Sequence, residues 1–152
     1  MARWIFMGVS GCGKSTVGRA FAEKKGIPFL DADDFHSEEN KHKMAEGIPL
    51  TDSDREPWLR RLVEVMKEHE DIVLACSALE EAHREILREA GSVQFIYLKG
   101  SYALIHGRME KRKEHFFNPE LLQSQFDTLE EPSDAQTIDI SQPISAIVNS
   151  IQ

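Results

Sequence analysis

The sequence predicts an α/β fold of three layers, a five-stranded parallel sheet with helices on both faces, in one domain over residues 1–152. Three observations predict it. Residues Gly8-Val9-Ser10-Gly11-Cys12-Gly13-Lys14-Ser15 read G-x-x-x-x-G-K-S. They stand between an apolar run, Trp4-Ile5-Phe6-Met7, and a helical run with Val17, Ala20 and Phe21 on one face, which is the strand–loop–helix context of a phosphate-binding P-loop. Short apolar runs then alternate with helical periods to the end of the chain, as parallel strands joined by right-handed crossovers require. A chain of 152 residues also suits one domain with its own core.

The first strand is expected over Arg3 to Met7 and the first helix over Lys14 to Lys25, with Gly26 as its stop. Ile27-Pro28-Phe29-Leu30 reads as a second short strand ending at Asp31. Ser37 can cap a short helix through Met44 that Gly47 ends. Ser53-Asp54-Arg55-Glu56 fits a capping box, with Pro57 in the first turn of the helix it opens. Trp58, Leu59, Leu62, Val63 and Met66 form that helix's apolar face. Ile72 to Cys76 is a continuous apolar run, typical of a central buried strand. A helix with Ala82, Ile86 and Leu87 inward follows, then a strand over Val93 to Leu98 and a helix buried through Leu104, Ile105 and Met109. A short helix is expected near Leu121 to Phe126 and a fifth strand over Thr137 to Ile140. Ile144, Ile147, Val148 and Ile151 give the last helix its i, i+3, i+4, i+7 stripe.

Composition narrows the partners. Twenty-six acidic residues against 18 basic ones leave a formal charge of −8, which argues against nonspecific binding to nucleic acid or to anionic membranes. The longest apolar runs are too short to cross a bilayer. Met1-Ala2-Arg3 runs into the first strand without a signal-peptide pattern. Cys12 and Cys76 have no metal or redox spacing. The expected setting is cytoplasmic and reducing.

The P-loop assigns the nucleotide site to Gly8, Val9, Ser10, Gly11, Cys12, Gly13, Lys14, Ser15 and Thr16. Glycines let the backbone turn so that several N–H groups face the phosphates, and the helix N-terminus adds positive charge. Lys14 is suited to neutralise β- and γ-phosphate oxygens, and the Ser15 hydroxyl to ligate Mg²⁺ beside ATP. Cys12, near that helix N-terminus, is expected to have a lowered thiol pKa and to react with alkylating reagents. The third strand ends in Ser77-Ala78-Leu79, with no carboxylate of the kind that holds Mg²⁺ in motor and switch NTPases, and N-K-x-D is absent. Acidic residues instead follow the second strand, as Asp31-Ala32-Asp33-Asp34. That places them at the carboxyl ends of the strands beside the P-loop. Such carboxylates can hold Mg²⁺ and orient a hydroxyl nucleophile; a solvated acidic turn is the alternative. Asp33 is the candidate base, and Asp31 or Asp34 can serve the metal or solvent.

These residues resemble the small bacterial-type gluconokinase family, a relative of shikimate kinase. The resemblance rests on MGVSGCGKST, FLDADDFHSEENKHKMAEGIPLTDSDREPWL, CSAL with Arg84 beyond it, FIYLKG, and HFFNPELLQSQFDTLEEP. It implies a P-loop kinase fold with a mobile lid, ATP-dependent phosphorylation of D-gluconate at its 6-hydroxyl, and a homodimer as one assembly. It also implies that Asp33, the second acidic residue of D-x-D, faces the substrate, with Ser77 of the CSAL block beside it. One block departs from the family. Where relatives read CSAL-K-x-x-Y-R-D, this chain reads CSALEEAHREI, with Glu80, His83 and Glu85.

The residues can be read the same way from their chemistry. A small anionic substrate with several hydroxyls calls for an Arg, which offers a bidentate fork to a carboxylate. Arg55, after the Pro49-Leu50-Thr51-Asp52 turn, can face the cleft with Asp33, or pair with Asp52 or Glu56. Arg84 is a second substrate candidate or a surface helix arginine. His36 can bond substrate hydroxyls or cap a helix. The lid is expected over residues 108–126, with Arg108 and Arg112 one helical turn apart to meet ATP phosphates or adenine. A kinase for another hydroxy acid such as shikimate stays open as an alternative. So does a nucleotide-binding regulatory module that hydrolyses ATP slowly. Against shikimate, the chain has Ser77-Ala78-Leu79 where a Gly-Gly-Gly turn would stand.

Overall fold

The computed structural model describes residues 2–111 and 119–151. Five strands, β1 (Ala2–Met7), β2 (Phe29–Asp31), β3 (Asp71–Ala75), β4 (Val93–Lys99) and β5 (Gln136–Asp139), form one sheet in the order β2-β3-β1-β4-β5. Every pairing is parallel. Among the described residues seven α-helices accompany them: α1 (Lys14–Lys25), α2 (Glu38–Ala45), α3 (Asp52–Lys67), α4 (Glu81–Leu87), α5 (Tyr102–Glu110), α6 (Pro119–Thr128) and, after the last strand, α7 (Ile144–Ser150). None of the described helices is long and apolar enough to cross a membrane.

The central strands are buried on both sides, so alternate residues feed two cores. Ile5, Met7, Ile72 and Leu74 pack with Trp58, Leu59, Leu62 and Met66 of α3 and Leu87 of α4. Phe6, Val73, Ile96 and Leu98 pack with Val17 and Phe21 of α1, Ile105 of α5, Leu122 of α6 and Ile147 of α7. This is the predicted three-layer arrangement. The order places β1 at the centre and brings the carboxyl ends of β1, β2 and β3 to one edge, where a parallel sheet binds its ligands.

Three local expectations need correction. The capping box of α3 is Thr51 with Asp54, not Ser53 with Glu56: the Asp54 N–H donates to Thr51 Oγ1 (3.1 Å) and the Thr51 N–H to Asp54 Oδ2 (2.9 Å). Both boxes are allowed by spacing, but only Asp54 also receives Lys43 (3.0 Å), which fastens α2 to the start of α3. Pro57 consequently stands sixth in α3, past the first turn, where its missing N–H removes an intrahelical bond. Ala82 is exposed; Ile86 and Leu87 pack inward as expected, and α4 turns His83 and Arg84 inward with them. Ile144 is also exposed, so α7 is buried through Ile147 and Val148.

Candidate active site

The P-loop leaves β1 at Gly8 and enters α1 through Gly13. Two glycines have geometric reasons. A Cβ on Gly8 would lie 2.7 Å from Cys12 Sγ and 3.0 Å from the Leu98 carbonyl. Gly13, the N-cap of α1, has φ 94°, a left-handed backbone that L side chains avoid. Val9 (3 % exposed) and Cys12 (1 %) point their side chains into the core, so their part in the loop is played by backbone. Ser10, Gly11, Gly13, Lys14 and Ser15 are partly open, and Thr16 is exposed.

The reactive-thiol expectation for Cys12 is not met. Burial pushes its thiol pKa up, and Lys14 and neighbouring backbone N–H groups offset this only in part. A helix N-terminus lowers a thiol pKa only where the thiolate can be solvated or paired. Cys76 is still more enclosed, its thiol pushed up to about 12 by burial.

Beside the loop the Ser15 hydroxyl donates to Asp31 Oδ2 (2.8 Å), and the other oxygen of Asp31 accepts the Asp33 N–H (3.0 Å). Asp31 thereby caps the 3-10 turn Ala32–Phe35 and aims Asp33 over the cleft. The Asp33 carboxylate is open to solvent, yet protein atoms crowd enough of its surroundings to raise its pKa. Asp31 and Asp34 push the same way, against Lys14. Its carboxylate therefore holds a proton more readily than a free aspartate does.

Across the cleft, His36 stacks on Trp58 with ring centroids 4.0 Å apart, and Trp58 is held by its indole N–H on the Ala32 carbonyl (2.7 Å). Burial, then Arg55 and Lys41, lower the His36 pKa to about 4, so the ring is neutral near pH 7. Arg55 comes from the first turns of α3, and its Nη1 lies 4.0 Å from Asp52. The cleft, about 200 Å³, gathers Lys14, Asp33, His36, Arg55 and Ser77. Five sequence-predicted residues from five places in the chain therefore meet.

Arg84 does not join them. It is 1 % exposed. Its guanidinium donates to the Ala78 carbonyl (2.7 Å), the Glu130 carbonyl (2.8 Å) and Glu81 (3.1 Å). The substrate-binding expectation is corrected to a structural one, because a buried guanidinium must spend its donors on nearby acceptors. It holds the loop that carries Ser77, and within that loop Ala78 has φ 43°, the one left-handed non-glycine among the described residues. Such a residue costs about 1 kcal/mol or more and needs support. Arg108 stands on the other side of the P-loop, near Cys12, and donates to the Ile140 carbonyl (2.6 Å). Arg112 lies outside the described residues, as does the lid between residues 112 and 118.

Sequence reasoning missed Gln125. From α6 its Oε1 accepts the Ser10 N–H (2.6 Å) and its Nε2 donates to Ser10 Oγ (2.9 Å). The end of the predicted lid segment is thereby joined to the P-loop itself. Only the block resemblance around LLQSQF covered this residue, and an exposed-looking glutamine on a short helix carries no signal of its own.

The shikimate kinase family model matches residues 10–145. A probable gluconokinase of Mus musculus is 48 % identical over 85 % of this chain and 82 % of its own length. The thermoresistant gluconokinase of Escherichia coli is 41 % identical over 97 % of this chain and 89 % of its own. The crystal structure of a gluconokinase from Sinorhizobium meliloti superposes with a TM-score of 0.91 at 44 % identity, over 97 % of this chain and 87 % of that one. With the P-loop, the acidic turn beside it and the sheet order already described, these similarities settle the assignment: the chain is a P-loop kinase and belongs to the gluconokinase family.

Proposed function

We propose that the chain transfers the γ-phosphoryl group of ATP to the 6-hydroxyl of D-gluconate, giving 6-phospho-D-gluconate and ADP. The observation that carries this reading is the meeting of Lys14, Asp33 and Arg55 in one cleft. A linear sugar acid has a carboxylate at one end and a primary hydroxyl at the other. Arg55 takes the carboxylate with its fork, which points the 6-hydroxyl toward the P-loop. As the 6-oxygen bonds to the γ-phosphorus, the bond from that phosphorus to the bridging oxygen of ADP breaks. Asp33 accepts the hydroxyl proton, and Lys14 offsets the charge on the phosphate oxygens. His36, neutral because its pKa lies near 4, and Ser77 offer hydrogen bonds to the remaining hydroxyls without adding charge.

Ser15 and Asp31 supply only oxygen donors, already 2.8 Å apart, and so fit a hard cation. They are the residues that would hold Mg²⁺, which when bound would neutralise phosphate charge. Arg108 is assigned to the nucleotide and Arg112 to a lid that closes over residues 108–126. The same reading has the enzyme act in the cytoplasm on a free small molecule, with no nucleic-acid partner. A homodimer is proposed from the family resemblance alone.

The test is coupled ADP release by the purified chain with D-gluconate, shikimate, a panel of other sugar acids, and no acceptor. Gluconate should give the highest kcat/KM by a wide margin. Equal turnover with shikimate, or turnover independent of any acceptor, would overturn the reading in favour of another hydroxy-acid kinase or a slow ATPase module.

A further inference from the structure

Glu80 and His83, where the chain departs from the family pattern, do not line the cleft of Lys14 and Asp33; His83 lines a small pocket beside it that Arg55 also lines. His83 is 8 % exposed, turned inward from α4. Its Nε2 is buried without a hydrogen-bond partner. That nitrogen faces two carboxylates: Glu80 Oε2 at 2.8 Å, off the line of a hydrogen bond, and Asp52 Oδ1 at 3.7 Å. The three ligand atoms lie within 4.8 Å of one another. Glu80 occupies the N-cap position of α4 but makes no side-chain capping bond there, so its carboxylate is free to turn to the imidazole.

We propose that Asp52, Glu80 and His83 form a binding site for a first-row divalent transition ion, Zn²⁺ by preference, that joins the start of α3 to the start of α4. One imidazole nitrogen and two carboxylate oxygens are a zinc donor set, with water to complete four-coordination. Zinc–ligand bonds of about 2.1 Å in a tetrahedron put ligand atoms about 3.4 Å apart. The observed separations bracket that value, and the side chain with farthest to move, Asp52, is 86 % exposed and can swing. Burial lowers the His83 pKa, with Arg55 adding to it and the two carboxylates opposing. A buried imidazole nitrogen left without a hydrogen-bond partner between two carboxylates offers a cation three ligand atoms at once. Arg55 and the two helix N-termini oppose that cation and weaken its binding. An ion there draws Asp52 away from Arg55.

The site is tested by titrating the metal-free full chain with Zn²⁺ alone, without nucleotide, in competition with a chromophoric chelator. The expected result is one Zn²⁺ per chain whose affinity falls at least ~10-fold in His83→Gln and in Glu80→Gln, with a Zn²⁺-dependent rise in Tm that His83→Gln abolishes. Should His83→Gln fail to fold, His83→Tyr, the residue that the family pattern has at this place, serves the same comparison. Zn²⁺ affinity unchanged by loss of His83 overturns the site. So does affinity lost only with His42→Gln or His106→Gln, whose imidazoles face Glu46 and Glu110 on other helices.

Discussion

The two walls of the cleft are made by different means. The P-loop wall is one contiguous stretch, Gly8 to Ser15, and it works largely through backbone: Val9 and Cys12 send their side chains into the core and leave their N–H groups to the loop. The facing wall works through side chains and is assembled from scattered elements: Asp33 from the 3-10 turn, His36 from the bend after it, Arg55 from α3, Ser77 from the loop after β3. A backbone device needs glycines at set spacing and can be recognised as a string. A side-chain device needs only that its members meet, and that is decided by the sheet order. On the proposed reading the first wall handles the phosphates of ATP, and the second handles the acceptor.

The division predicts that the two walls fail differently. The largest loss is expected on the P-loop side. Lys14→Met should lower kcat by ~10³-fold even at saturating ATP, because the charge it offsets is greatest in the transition state. Near-normal kcat in that variant would break the division at its strongest point. On the facing wall, Asp33→Asn keeps size and loses the base, so kcat should fall at least ~10²-fold with the KM for ATP little changed. Parallel losses in kcat and ATP affinity would move Asp33 to the metal side of the cleft.

Two arginines sharpen the comparison further. Arg55→Ala should raise the KM for gluconate ~10- to 100-fold, the worth of a charge-assisted hydrogen-bonded pair, with little change in Tm. Arg84→Met should do the reverse. It strands the carbonyls of Ala78 and Glu130 and should cost ~2–4 kcal/mol of stability, read from urea unfolding. If Arg84→Met left stability intact and raised the KM for gluconate, Arg84 would belong to the substrate wall after all.

The smallest expected effect is a pH dependence. Unfolded His36 takes up its proton near 6.5, and the folded residue only near 4. Between those values the unfolded chain binds more protons, so the contribution of His36 to stability, complete above about 6.5, is lost as the pH falls toward about 4. The gap in urea midpoint between pH 7 and pH 5 should therefore narrow in His36→Gln. An unchanged gap would show that the stacked ring on Trp58 is already charged.

Much of the fold was legible because it rests on periodicities. The five strands, and every helix but the start of α3, fall within a few residues of where the apolar pattern places them. The helix face of α4 was misread at Ala82, which is exposed; Ile86 and Leu87 do pack on the core, but the polar His83 and Arg84 turn inward beside them. Arg84 turns inward because acceptors await it, the Glu130 and Ala78 carbonyls, and these come from elsewhere in the fold. Gln125 was missed for the same reason, since its importance comes from Ser10, 115 residues away.

By itself, then, the chain's order of residues determined the P-loop, the parallel sheet and the membership in a kinase family. These depend on spacing between near neighbours and on which residues are apolar, and both can be read along a string. Tertiary structure alone decided which arginine reaches the cleft and which is consumed in holding it, and which carboxylate caps α3. It also decided that the Cys12 thiol faces the core, and that His83 meets Asp52 and Glu80. For the arginines the outcome turns on how a polar or charged group finds its partner, and for Cys12 and His83 on which side of the packed sheet and helices the side chain faces. That is a matter of a few ångströms between elements distant in sequence, and only the packed sheet and helices set those distances.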